Sequence, residues 1–298
     1  MDDLPLTEAA NPSTADLDRL DTRSLLHCIN DEDRRAAWAV EREIDAIAAV
    51  VDAIVERLRL GGHLHYFGAG TSGRLGIADA AEITPTFSTA ADVVVGHIAG
   101  GAAALTRAVE EAEDDEQAGR DDAAAAGLRP IDAALGISAS GGAAYVLGAI
   151  RAAKSAGALT VGVTNNERAP LAAEADAVVV LRTGPEAVAG STRMKAATAQ
   201  KMTLTMISTA VMVKLGKVYG NLMVDVSPTN KKLRARAERL TMHLSGAPRD
   251  AAREALERAG YSVKVAVVML ARRCDPAAAA ALLDRCGGSL RSALEIIT

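Results

Sequence analysis

The stretch "HYFGAGTSGRLG", residues 65–76, decides how this chain is read. A short apolar run enters a loop that places Gly68, Gly70 and Gly73 in the order G-x-G-x-x-G, and "LGIADAAE" continues from it as a helix. Strand, glycine turn and helix in that order begin a βαβ unit. The pattern recurs downstream, where "DVVVGHI" (92–98), "AALGIS" (133–138), "LTVGVT" (159–164) and "AVVVLR" (177–182) alternate with helical segments. Apolar strands separated by helices predict a parallel sheet covered on both faces. Hydrophobic residues make up 49% of the chain but aromatics only 2%, so that core is built from Ala, Val, Leu, Ile and Met.

The glycine pattern is also that of a dinucleotide loop, which carries a second requirement. An acidic residue must end the second strand, where it bonds the ribose hydroxyl. Here that strand ends "VVGHIAGG", and Asp92 stands at its start instead. No Gly-Lys-Ser/Thr follows, which excludes a P-loop. What the loop does offer is Gly70, Thr71 and Ser72 at a helix N-terminus, a combination suited to one phosphate or a polar sugar. Two further strand ends repeat it: "GISASGG" supplies Ser138, Ser140 and Gly141, and "GPEAVAGSTR" supplies Gly190, Ser191 and Thr192 at the opening of a long helical stretch over 194–216. In a parallel sheet these turns share the carboxyl edge, so they predict a phosphosugar pocket there.

Other classes are excluded or unsupported. A net charge of −5 argues against nucleic acid, and the basic run "KKLRARAER" (231–239) has the helical spacing of a solvated face. The polar, acidic opening "MDDLPLTEAANPSTADLD" predicts no signal segment, and no apolar run predicts a membrane span. Cys28, Cys274 and Cys286 lie far apart, and the five histidines form no ligand cluster, although His63 and His65 alternate on one strand face. The expectation is a cytoplasmic protein without a metal site.

Carboxylates are numerous near the predicted pocket. Glu82 closes "GIADAAE", and "AVEEAEDDE" places Glu110, Glu111, Glu113, Asp114, Asp115 and Glu116 on a predicted helix spanning "GAAALTRAVEEAEDDEQAG". At i,i+3, Glu110 and Glu113 would share one face of that helix. Spacing suggests a carboxylate pair without choosing its members.

"GAGTSGRLGIADAAEITPTF", "AVEEAED", "GSTRMKAATAQKM" and "GKVYGNLMVDV" (216–226) resemble the signatures of the N-acetylmuramic acid 6-phosphate etherases, and "LTEAANPSTADLD" and "INDED" resemble that family's N-terminal pattern. The resemblance covers nearly the whole chain. It implies an α/β fold of the sugar isomerase (SIS) type, a three-layer sandwich on a parallel sheet with a small all-helical C-terminal region. The boundaries are then a helical extension over 1–54, the SIS domain over 55–218 and a helical region over 219–298, whose tail from about 246 reads, by its Gly and Pro breaks, as a three-helix appendage. The resemblance further implies metal-free cleavage of a lactyl ether, a homodimer, and no cofactor. Glu82 occupies the proton-donor position and Glu113 that of a second catalytic glutamate, the implied C2 base. As an acid Glu82 needs a raised pKa, through burial or a carboxylate neighbour. Lys195 joins Gly70, Thr71, Ser72, Ser138, Ser140, Gly141, Glu186, Ser191 and Thr192 as implied substrate contacts.

The chain departs from the family at Ala143 and Ala144, where a Thr-Pro is common, and in "KAATAQKMTLT", where a Gly and an Asn are more usual. Two other functions compete. A phosphosugar isomerase also removes a C2 proton but needs no acid at the C3 oxygen. A non-catalytic sugar-phosphate regulator, like the glucokinase regulatory protein, needs a second SIS copy or lost carboxylates.

Overall fold

A computed structural model of the protein describes residues 6–109, 111–226 and 231–296. The chain forms two compact units, one of Met1–Ala81 with Asp92–Ser208, the other of Glu82–Ala91 with Thr209–Thr298.

In the first unit, helices α1 (Thr22–Glu41) and α2 (Ile44–Arg59) precede the sheet. Asp21 caps α1, accepting from the Arg23 and Ser24 N–H groups at 2.9 and 3.1 Å. The helix runs unbroken through residues 30 and 31. The break falls at Arg42–Glu43, where Glu43 leaves helical geometry and its carboxylate pairs with Arg182 at 2.7 Å. In α2, Ile47, Val50, Val51, Ile54 and Val55 are buried on one stripe at helical spacing.

Strands β1 (Leu64–Gly68), β2 (Val94–Ile98), β3 (Ala133–Ser138), β4 (Leu159–Thr164) and β5 (Ala177–Val180) form one parallel sheet in the order β2-β1-β3-β4-β5. The connecting helices are α3 (Gly70–Phe87), α4 (Glu116–Ala125), α5 (Ala144–Ser155) and α6 (Pro170–Glu174), and α7 (Lys195–Lys214) follows β5. Glycines on the sheet let the helices approach closely. A Cβ on Gly96 would lie 2.8 Å from the Ile77 Cα of α3, and one on Gly136 would lie 2.8 Å from the side chains of Val146 and Ile150 in α5. Helices thus cover both faces, as the apolar strands predicted.

Between β2 and α4 the structure departs from expectation. A single helix was predicted over residues 101–119. Instead there are 3-10 turns at Gly101–Leu105 and Ala112–Asp114, and α4 starts at Glu116. Glu111 has a φ of 66°, a left-handed conformation that no helix propagates. Asp115 caps α4 by accepting from the Ala118 N–H at 2.9 Å. Glu113 therefore sits in a 3-10 turn rather than on a long helix, and its predicted partner Glu110 lies outside the described residues.

On the α4–α5 face, His65 Nδ1 lies 3.1 Å from His97 Nε2, and the His97 ring stacks on Phe67 at 4.5 Å. Burial, with the His97 ring second, holds His65 down to about 4. A histidine depressed in the folded state stabilises it fully above its ordinary value and less as pH falls. Stability should therefore decline between about pH 6.5 and 4, with a slope approaching about 1.4 kcal/mol per pH unit. His65→Phe should flatten that decline in urea-unfolding measurements across the range.

The second unit holds strands β6 (Val218–Tyr219) and β7 (Leu222–Met223), an antiparallel pair. Helices α8 (Lys231–Ser245), α9 (Arg249–Arg258), α10 (Val263–Arg272), α11 (Pro276–Arg285) and α12 (Leu290–Glu295) follow. Four helices thus lie beyond residue 246, one more than the pattern predicted. The basic run faces outward from α8 around a buried Ala237. The unit's core gathers Val224, Leu256, Val267, Val268 and Leu290. No described helix is long and apolar enough to cross a membrane.

Candidate active site

Strand order locates the crevice. β1 leads outward to β2, and β3 starts the sheet in the opposite direction, so the connections leaving β1 and β3 diverge. At such a switch point the carboxyl ends of the two strands leave an opening where ligands bind. Gly68 and Ile137 are in register there, so the Gly70–Ser72 and Ser138–Gly141 turns stand side by side.

In the first turn, glycine is required by packing. A Cβ on Gly73 would lie 2.6 Å from the Gly68 oxygen, so only glycine lets α3 start against the end of β1. The N–H groups of its first turn have no partners within the helix and face the crevice end. Ser72 is buried, and its hydroxyl donates to Gln200 Oε1 at 2.7 Å. Gln200 Nε2 donates to Asn165 Oδ1 at 3.0 Å, and Asn165 Nδ2 donates to the Leu181 carbonyl at 3.0 Å. The ends of β4 and β5, α7 and the first turn are thus bolted together. The Ser72 proton is committed to that network, which leaves its oxygen to accept from a ligand. Half-buried Thr71 has no such commitment. Gln200 and Asn165 escaped the sequence reading because an amide inside a helix or after a strand has no local signature.

The second turn is self-supported. Ser138 Oγ accepts the Gly141 N–H at 3.0 Å, Ser140 Oγ accepts the Gly142 N–H at 3.2 Å, and the two hydroxyls lie 3.4 Å apart, with Ser140 exposed at the turn. With Ala143 at its N-cap, α5 has no side-chain cap, so its first donors stay open to an anion. Gly141 has a φ of 68°, and a Cβ there would lie 2.3 Å from Ala169 Cβ and 2.7 Å from Thr164 Oγ1. Gly141→Ala combines left-handed strain with overpacking and should cost at least about 2 kcal/mol. Chemical unfolding together with sugar-phosphate titration checks this, with both stability and affinity expected to fall.

The third turn differs from expectation in who uses the helix end. Glu186 is fully buried, and its carboxylate accepts the N–H groups of Lys195 and Ala196 at 3.2 and 2.9 Å, capping α7. Burial pushes that carboxyl above its ordinary value, and the two N–H bonds oppose the push. Lys195 is also fully buried, with its ammonium paired to Glu32 of α1. In this structure both residues bond to protein, whereas Ser191 and Thr192 remain half-buried in the loop ahead of α7.

Glu82 and Glu113 are both exposed, and among the described residues neither has an ion pair or side-chain hydrogen bond. Glu82 lies on α3 where the helical ladder is interrupted, because Pro85 has no N–H for the Ala81 carbonyl. Glu113 sits in the 3-10 turn after left-handed Glu111. Arg74, from the glycine loop, steadies the run-up to that turn by donating to the Ala104 and Arg107 carbonyls at 2.8 and 3.0 Å.

Comparison with known proteins agrees with this architecture. Residues 46–154 match the glucokinase regulatory protein N-terminal SIS domain, and residues 103–213 match the SIS domain. The chain is 50% identical to an N-acetylmuramic acid 6-phosphate etherase of Deinococcus radiodurans, over 99% of this chain and 96% of that protein. It is 47% identical to one from Caldanaerobacter subterraneus, over 98% and 95% of the two chains. A third, from Mycolicibacterium smegmatis, is 48% identical over 97% of each. The chain belongs to the N-acetylmuramic acid 6-phosphate etherase family. The Ser72–Gln200–Asn165 bridge and the Glu186 cap are therefore the local architecture of an etherase-family SIS sheet.

Proposed function

We propose that the protein cleaves the lactyl ether of N-acetylmuramic acid 6-phosphate with water, giving N-acetylglucosamine 6-phosphate and D-lactate. Near-half identity over almost the full length of the named etherases carries this reading. The serine turns and open helix ends at the β1/β3 crevice support it as a seat for a phosphosugar.

An unactivated ether is a poor leaving group, so the chemistry needs an acidic C–H beside it. The open-chain sugar provides one, because its C1 aldehyde acidifies the C2 proton. Glu113 takes that proton, and Glu82 protonates the C3 oxygen as the C–O bond breaks and lactate departs. Water then adds at C3 of the unsaturated aldehyde, and the proton it returns to C2 restores the saturated sugar. The phosphate is held by Ser140, Thr71 and the first N–H groups of α3 and α5, with Ser191 and Thr192 bordering the sugar. Ser72, Ser138 and Gly141 shape the turns, while Glu186 and Lys195 hold the third loop. The protein acts as a homodimer in the cytoplasm.

The test is D-lactate release from N-acetylmuramic acid 6-phosphate by the purified protein in chelator-treated buffer. Release in step with N-acetylglucosamine 6-phosphate supports the etherase. Conversion of an aldose phosphate to a ketose without lactate release would make it an isomerase, and sugar-phosphate binding without turnover would make it a regulator.

A further inference from the structure

Residues 7–14 lie far in sequence from the loop after β5, yet three of their polar groups bond to it. Asn11 Nδ2 donates to the Pro185 carbonyl at 3.2 Å, and Thr14 Oγ1 donates to the Ala187 carbonyl at 2.9 Å. The Gly190 N–H donates to the Thr7 carbonyl at 3.1 Å. Three links thus fall at 185, 187 and 190, immediately ahead of Ser191 and Thr192. The arm is itself anchored: Asn11 Nδ2 also reaches Glu32 Oε2 at 2.8 Å, and Glu32 pairs with Lys195 at the start of α7. Asn11 Oδ1 caps its own turn through the Ser13 N–H at 3.0 Å, which is why "NPST" folds as it does. Asn11, Thr14, Glu32 and Lys195 are all at most 8% exposed.

We propose that this N-terminal arm is a brace that holds the 185–192 loop in its substrate-binding shape, with Asn11 and Thr14 as positioning residues. The proposal rests on the reading that Ser191 and Thr192 border the substrate. The loop lies between β5 and α7 without regular structure; short backbone bonds from the Ser191 N–H to the Val188 carbonyl and from the Thr192 N–H to the Gly190 carbonyl turn its end, and the links from the arm hold its 185–190 stretch from outside. Where the arm has already ordered it, the sugar phosphate does not bear that entropy on binding. Loosening the arm therefore weakens affinity more than it slows the bound complex.

The test measures the dissociation constant for N-acetylglucosamine 6-phosphate by calorimetry, which needs no turnover, beside KM and kcat for lactate release. Thr14→Val removes the hydroxyl that reaches the Ala187 and Asn11 carbonyls at nearly constant shape, Asn11→Ala removes the joint link, and Thr14→Ser restores the hydroxyl. Each loss should weaken binding and raise KM about tenfold, with kcat changed less than about twofold, and Thr14→Ser should recover most of the affinity. A lower kcat with unchanged dissociation constant and KM, tracking the folded fraction, would overturn the brace and leave the arm merely structural. Ser191→Ala separates the two readings. Weaker binding in Ser191→Ala but not in Thr14→Val sinks the brace alone, whereas no effect in Ser191→Ala or Thr192→Val sinks the loop's substrate role and the brace with it. Binding effects without lactate release in any variant would sustain the brace while removing the etherase reaction.

Discussion

Glu113→Gln and Glu82→Gln should each lower lactate release by about 10²–10⁴-fold, the range expected for losing one positioned proton-transfer group. Glutamine keeps the shape of glutamate but neither takes nor gives the proton. Both carboxylates are exposed and have no side-chain partner among the described residues, so stability should change by no more than about 0.5 kcal/mol. The loss should therefore appear in kcat rather than in the folded fraction. Exchange of the C2 hydrogen with deuterated solvent separates the two roles. With Glu82→Gln, the base still removes the C2 proton, so exchange continues while lactate loss collapses. With Glu113→Gln, exchange and lactate loss should disappear together. The opposite pattern would swap the roles, and full release by both variants would remove the pair from the chemistry.

The sheet was legible because its information is local. Each strand is an apolar run ended by a glycine or hydroxyl turn, and "GAGTSG" and "SASGG" point to the carboxyl edge before any strand order is known. The order itself depends on which strand lies beside β1, which no local pattern records. The predicted helix over 101–119 failed for a related reason. Its composition favours a helix, but the left-handed turn at Glu111 breaks it, so the i,i+3 argument lost the geometry it assumed. Glu186 and Lys195 show the other limit. The resemblance implies both as substrate contacts; in the structure Glu186 also caps a helix nine residues on, and Lys195 finds a partner 163 residues away. Long-range pairing of that kind leaves no trace in spacing.

The Lys195–Glu32 pair carries the second large expected effect. Both side chains are nearly inaccessible, at 1% and 4%. Removing one partner from such a pair strands the other charge, which costs about 3–5 kcal/mol. Lys195→Met leaves Glu32 with Asn11 at 2.8 Å and the partly exposed Arg35 at 3.3 Å. At roughly 2–4 °C per kcal/mol for chains of this size, the melting temperature should fall by about 10 °C. Adding Glu32→Gln to Lys195→Met should cost less than the sum of the single losses, because no charge is then stranded. The pH dependence distinguishes a stranded charge from lost packing. In the wild type, burial pushes the Glu32 carboxyl up, but the bonds from Lys195 and Asn11 outweigh it and hold the group below its ordinary value of 4.5. Its contribution is therefore present above that value and is lost as pH falls below it. In Lys195→Met, burial loses its main opponent, so Glu32 should protonate at a higher pH and be less costly once neutral. The stability gap between the two proteins should accordingly narrow as pH falls from 7 towards 4. A gap that stays constant over that range would assign the loss to the missing lysine stem rather than to the unpaired carboxylate.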